Sequence, residues 1–569
     1  MSTPPTATRS FHRRAPFPIF EDDSSTSSLT QLPSNHFLAQ RPVTPPQQES
    51  VLAHQLANWA DRARPDTSSL AAADFDVSVE TGFMPPQEPV QSLQGMGHGW
   101  NDLEDCLASV QEEAAGIPGG GVGKLSERSR LSVKQLPIAS LEPLTTLPLL
   151  RRAHTLLAHL VHFYMHSTFP SQSVVPAALA IPLVKVSDRL GLPPILTYAD
   201  TVLWAWKLTD KSQGLRADNV EITTTFTPTP SERAFFLLSL FCELHGPAIL
   251  RLMSATLDEA FFADSVALGR IASYLQSIAL LIDELTALMA GATGGTFGPG
   301  GREHISPAAF YWEIRPWFNG GKWVYEGVGP DGEGREMEWG GPSAGQSSLV
   351  HALDLFLGVD HSPRHASHPH HSSASPASTS GASTPSFHNT FAEQVSSPTL
   401  AKAVDVTEKP LPSLHKTPSD STFMQRMMHY MPGHHRSFLR HLSSLHLSNP
   451  SAPTAPILPS LRDLAQRHPF ELREAYDTAV ASMKRFRDTH IRLATFFIVQ
   501  QARREPPKDS PHWAGWEAKR LAKEQEEEER RRKGEEVKKE AIAGTGGTDL
   551  VSFLKRCRDR TAEAKLEGR

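Results

Sequence analysis

Tyr476, Val480, Met483, Ala494 and Phe497 recur at helical spacing between Glu471 and Gln501, and no other feature constrains the fold of this chain more tightly. Such a period places them on one face of a long helix. His490 lies on that apolar face, Phe486 and Leu493 border it, and Arg487 stands near it one turn earlier. From Leu147 the pattern is the same: Leu150, His154, Leu157, Leu160 and Val161 share a face that Phe163 and Tyr164 extend. Further helices are predicted over 176–190, 194–208, 231–256, 259–290, 306–318 and 346–359. Strand signals are few. Glu221 to Thr227 is β-branched, and Trp323 to Val328 fits part of a short hairpin. The expected class is all-α.

Two stretches break the helical pattern. Residues 1 to about 73 are rich in Pro, Ser, Thr and Gln and read as disordered, with order beginning near Phe75. Residues 361–421 start with His361-Ser362-Pro363-Arg364-His365 and continue in Ser/Pro/Thr repeats. His-rich tracts bind metal adventitiously, but a flexible polar insert is the better reading here. A charged segment follows over 505–543, with Glu526 to Lys533 as its densest run. Opposite charges at helical spacing favour a solvated helix. The run lacks the net positive charge and interleaved aromatics of a nucleic-acid binder.

A net charge of -6 over 569 residues gives no electrostatic argument for nucleic acid or an acidic membrane. Cys106, Cys242 and Cys557 lie far apart and form no Cys-x-x-Cys pair, as in a reducing compartment. Arg9, Arg13 and Arg14 have no apolar stretch behind them, so no secretory signal is read. The longest apolar run, Ile271 to Ala290, is broken by Gln276, Asp283 and Glu284. A soluble, cytosolic protein is expected.

Several segments carry candidate chemistry. Gly341-Pro342-Ser343-Ala344-Gly345-Gln346-Ser347-Ser348 has little side-chain bulk and runs into the apolar helix Leu349 to Val359. His351 and Asp354 are the polar exceptions there, and a buried carboxylate needs a cation or donors to meet it. The segment fits a pocket wall or an ordinary loop with a helix N-cap. Around His490 no second histidine or carboxylate follows at i+3 or i+4. A lone neutral imidazole on an apolar face suits one axial bond to haem iron better than a protein-only tetrahedral site, a satisfied core histidine being the alternative. Arg315 lies amid the aromatics of Phe310 to Phe318, where an arginine stacks or receives a carboxylate. Phe235 and Ser239 stand one turn apart on another helix. Near the C-terminus, Gly544 to Asp549 precedes an amphipathic helix with Thr548 as its N-cap, and lacks the lysine of a P-loop.

Ser343 to Ser348, the Phe310 to Arg315 spacing, Leu192 to Asp200, Tyr430 to Arg436, Arg487 to His490 and Gly544 to Asp549 together resemble the indoleamine 2,3-dioxygenase family, in the family's order. The long tail and the insert are similar to those of fungal members. The resemblance implies a two-domain helical haem protein: a small domain over 74–215, and a large haem-binding domain over 216–360 and 422–569. It implies haem b with His490 as proximal iron ligand, and Arg487 paired with a haem propionate and with Asp354. Phe235, Ser239, Phe310 and Arg315 would line the distal side with Tyr198, Ser343, Ala344 and Gly345. Thr545 would belong to a mobile loop over the substrate.

The reaction implied is insertion of both atoms of O2 across the indole C2–C3 bond of L-tryptophan to give N-formylkynurenine, the first step of tryptophan catabolism toward NAD. Arg315 would hold the substrate carboxylate, with Phe310 and Ser239 beside the reacting ring. The partners implied are L-tryptophan, O2 and an electron donor that keeps the haem ferrous, acting on a monomer without membrane or nucleic acid. Thr201 and Pro342 depart from the family, where many members have a small thiol and some a second glycine. A haem-binding sensor of the same fold with little catalysis is the alternative, and a purely structural helical scaffold ranks third.

Overall fold

Helices dominate because the apolar residues repeat every three to four positions, so each helix has one face to bury. The computed structural model describes residues 66–362, 422–446, 458–508 and 550–566, apart from 67, 98 and 118–120, with scattered positions between 513 and 525. The readings made for residues 1–65, for the insert from 363, for Glu526 to Lys533 and for Thr545 and Thr548 lie outside these residues.

The main helices are α1 (Trp100–Gly116), α2 (Glu127–Lys134), α3 (Leu147–Met165), α4 (Ala177–Leu190), α5 (Pro230–Glu243), α6 (Gly246–Phe262) and α7 (Ser265–Gly294). They are followed by α8 (Ser348–Phe356), α9 (Phe423–Met428), α10 (Gly433–Ser444), α11 (Leu461–Arg467), α12 (Pro469–Ala494) and α13 (Leu550–Glu563). Five short strands complete the fold. β1 (Val174–Val175) runs parallel to β4 (Gly321–Tyr325), which pairs antiparallel with β5 (Arg335–Trp339) with Trp323 opposite Met337. β2 (Trp206–Leu208) pairs antiparallel with β3 (Val220–Ile222). Trp323 thus lies in a hairpin, and the expected strand Glu221 to Thr227 shrinks to its first residues.

Prolines account for most departures from the helical reading. The predicted helix 231–256 divides at Leu244 and His245, because Pro247 sits in the first turn of α6 where its missing N–H costs no bond. The predicted helix 194–208 becomes a π-turn (Ala199–Leu203) followed by β2, since Pro193-Pro194 biases the preceding backbone away from helix. The predicted helix 306–318 divides into a single α-turn (Pro307–Ala309), a π-turn (Phe310–Ile314) and a 3₁₀ turn (Arg315–Phe318) around Pro316. α12 continues past Ala494 as a third π-turn (Thr495–Val499). Order also begins earlier than Phe75, because Leu70, Ala71 and Ala72 are buried.

Two apolar clusters fill the interior. One joins α1, α3 and α4 to Phe236, Phe310, Trp317, Phe497 and Phe553, running across residue 215. The other joins α6, α7, α8 and α10 to Tyr476, Val480 and Met483. α12 therefore starts in the second cluster and ends in the first, with His490 between Met483 and Ala494 at the seam. Pro230–Phe262, interrupted as described, and α7 are apolar and long enough to cross a membrane. Here α7 packs along α6 and α12.

α3 carries a buried histidine ladder. Burial pushes His159, His162 and His166 down to about 4, 3 and 4, so all three are neutral in the fold. His351 and His434 are held at about 4 in the same way. Unfolded histidine titrates near 6.5, so the stability from keeping these rings neutral is full above about 6.5 and is lost as pH falls toward 4. Burial raises Glu232 and Glu243 to about 7, and their contribution has the opposite sign, being lost as pH rises. The histidines are more numerous. Urea unfolding of the apoprotein between pH 7 and pH 4 is expected to lose on the order of 5 kcal/mol. A flat profile contradicts this balance.

Candidate active site

The polar side chains that the helices turn inward meet in one cavity at the seam. It is lined by Tyr198, Phe235, Ser239, Phe310, Arg315, Ser343, Ala344, Gly345, Arg487 and His490. Every sequence-derived candidate within the described residues lines it except Asp354, which sits directly behind Arg487. Thr545 lies outside those residues.

His490 projects from α12 with part of its ring facing the cavity. Neither ring nitrogen has a hydrogen-bond partner among the described residues, and burial, then the nearby Arg487 charge, pushes it down to about 4. The imidazole is thus neutral, with a lone pair open to a metal. One turn before it, Arg487 donates from Nη2 to Asp354 Oδ2 at 2.5 Å and from Nη1 to the Cys557 carbonyl of α13 at 3.0 Å. Its buried Nε has no partner among the described residues. Burial raises the Asp354 pKa, but the Arg487 charge and the His361 hydrogen bond outweigh it and keep the carboxylate ionised.

Across the cavity the aromatics are mutually packed. Phe310 stands 4.7 Å from Phe235 and 5.7 Å, edge-on, from Phe497 between ring centroids. The Arg315 guanidinium lies 5.6 Å above the Tyr311 ring. Burial lowers the Arg315 pKa from its ordinary value, yet an arginine remains a cation in proteins.

The π-turn explains how Phe310 and Arg315 both reach the cavity. The Arg315 amide bonds back to the Phe310 carbonyl, so residues five apart stand one π-turn apart on one face. In an α-helix the same pair would diverge by about 140°. The other two π-turns also deliver cavity residues, Thr201 and Val202 from one and Phe497 and Ile498 from the other.

The loop before α8 is a pocket wall. Ser347 stands at the N-cap position, but its hydroxyl does not cap the helix. It donates instead to Glu243 Oε1 at 2.8 Å, beside the Tyr198 hydroxyl at 2.9 Å. His351 bonds the Gly345 carbonyl at 2.9 Å, and the Tyr198 amide donates to Gln346 at 2.8 Å. A Cβ built on Gly345 would come within 2.9 Å of Phe423, so this wall is close-packed against its neighbour.

Sequence reasoning did not place Glu243, Phe423, Phe553 or Cys557 at the site. Phe423 of α9 and Phe553 of α13 close one side of the cavity, their ring centroids 3.8 Å apart. A single aromatic on a helix face carries no local signal of this role. Conversely, parts of two motifs noted in the sequence hold the frame, although Tyr198 of one of them lines the cavity. Arg436 donates to the carbonyls of Gly191 and Met431, each at 2.5 Å, and Tyr430 accepts from the Gly340 amide. Asp200 binds His154 at 2.7 Å beneath the first π-turn.

No group of three metal-ligating side chains occurs among the described residues. A lone open imidazole on an apolar wall, with a guanidinium beside it, fits a haem that brings its own equatorial donors. The sequence model of the family described as indoleamine 2,3-dioxygenase matches residues 71–564. The chain belongs to the indoleamine 2,3-dioxygenase family. Members of this family are haem dioxygenases, and the chain is an enzyme of that class. An indoleamine 2,3-dioxygenase of Aspergillus candidus is 27% identical over 87% of this chain and 98% of its own length. That of Saccharomyces cerevisiae is 26% identical over 86% and 92%. A 6-hydroxytryptophan 2,3-dioxygenase of Fusarium equiseti is 24% identical over 86% and 96%.

Proposed function

We propose that the chain binds haem b through His490 and cleaves the indole C2–C3 bond of L-tryptophan with O2, giving N-formylkynurenine. The observation that carries this reading is the pairing of two features on one cavity: the unpartnered neutral His490 on one wall, and Arg315 among stacked aromatics on another. When bound, haem supplies the ferrous iron at which O2 is activated. Arg487, on the cavity wall, would offer its guanidinium to an acidic side chain of the haem, with Asp354 holding it in place. Arg315 takes the substrate carboxylate, and Phe235 and Phe310 orient the indole plane.

Among the described residues no carboxylate, and no histidine but His490, lines the cavity. The protein thus orients substrate and excludes water rather than moving a proton. The test is anaerobic reduction of the haem-loaded protein, followed by O2 and L-tryptophan, with product read by absorbance. No product at millimolar substrate favours a haem sensor instead.

A ring-hydroxylated tryptophan is the second substrate reading, favoured by the Thr201 side chain on the cavity wall, where the Fusarium relative's named substrate makes the comparison pertinent. Comparison of kcat/KM for L-tryptophan and 6-hydroxytryptophan separates the two.

Ala344 is exposed toward the cavity, so Ala344→Phe fills ligand space without disturbing the core. Turnover is expected to fall at least ~10-fold, while stability stays within about 0.5 kcal/mol of the parent. Equal losses in both would remove the loop from the substrate site.

A further inference from the structure

α8 ends in a chain reversal that brings His361 back onto the side chain of Asp354. Gly358, with φ of 68°, makes the left-handed turn, and the Val359 amide bonds the Asp354 carbonyl at 2.8 Å. His361 Nε2 then lies 2.9 Å from Asp354 Oδ2, the same oxygen that accepts from Arg487. The next residue is fixed as well: Arg560 of α13 donates to the Ser362 carbonyl at 2.7 Å. Asp354 Oδ1 is buried and has no partner among the described residues. His361 is therefore one of only two donors that this buried carboxylate has among the described residues.

We infer that His361 is a positioning residue for the cavity-facing guanidinium of Arg487, so that the root of the 363–421 segment bears on how firmly haem is held. This rests on the haem reading above. A buried carboxylate sharing its charge between two donors stays ionised at lower cost than one with a single partner. Ionised Asp354 fixes Nη2 of Arg487, while the Cys557 carbonyl fixes Nη1. Nε is buried and has no partner among the described residues, and the guanidinium held in this way is the cation that Arg487 brings to the cavity wall for an acidic group of the haem. Without His361, Asp354 is left with one donor, and the guanidinium is held less firmly in that orientation.

The experiment is transfer of haem from the loaded full-length chain to an excess of a haem-scavenging apoprotein, followed by the Soret shift. His361→Ala is compared with His361→Gln, whose amide nitrogen can occupy the place of Nε2. The alanine variant is expected to release haem at least fivefold faster than the parent, and the glutamine variant within twofold of it. Release of haem by His361→Ala at the parental rate overturns the inference alone. So does a glutamine variant as fast as alanine, which would mark lost packing rather than a lost donor. A parent chain that takes up no haem overturns the cofactor reading itself, and this inference with it.

Discussion

Replacing His490 with alanine is expected to give a folded chain with no Soret band and at least ~1000-fold less turnover. Folding should survive because the ring has no hydrogen bond to lose among the described residues and part of it faces the cavity. Truncating a buried, bonded side chain leaves its partner unsatisfied, at a cost of about 1–3 kcal/mol, and the described residues hold no such partner for His490. Haem, by contrast, would lose the side-chain bond proposed for its iron. No other histidine lines the cavity among the described residues, so none can substitute from the wall. Added imidazole should restore part of the Soret band by entering the vacated space. Normal haem loading in the variant, with no imidazole dependence, would remove the axial assignment.

Arg315→Ala is expected to raise KM sharply with haem content unchanged. A charge-assisted bidentate pair is worth about 2–3 kcal/mol, which corresponds to a loss of roughly 30- to 150-fold in kcat/KM. Arg315→Lys should recover only part of it, because an ammonium lacks the planar fork that meets both carboxylate oxygens. Tryptamine, which has no carboxylate, gives the control. The parent should use it poorly, and Arg315→Ala should lose nothing further on it. Unchanged kinetics with L-tryptophan would refute the carboxylate role.

Much of this site was legible in the sequence because its polar residues interrupt apolar periodicity. His490 and Arg487 stand out on the stripe of α12, and Asp354 stands out in a helix that is apolar nearly all round. A buried charge on such a face requires a partner, and Arg487 is that partner. The backbone was less legible. The five-residue spacing of Phe310 and Arg315 makes sense only as a π-turn, which side-chain periodicity does not announce. Tertiary bonds were not legible at all. Ser347 stands at the N-cap position of α8, yet its hydroxyl serves Glu243, more than a hundred residues earlier in the chain. The Phe423–Phe553 wall is likewise built from helices that flank long polar stretches, and their meeting depends on the whole fold.

The central claim is that this cavity holds haem so that both atoms of O2 enter one indole substrate. Its most direct test supplies ¹⁸O2 to the reduced, haem-loaded chain with L-tryptophan and weighs the product. The account predicts N-formylkynurenine carrying two ¹⁸O atoms. Haem binding with no labelled product, or a product carrying a single ¹⁸O at formation, would contradict it.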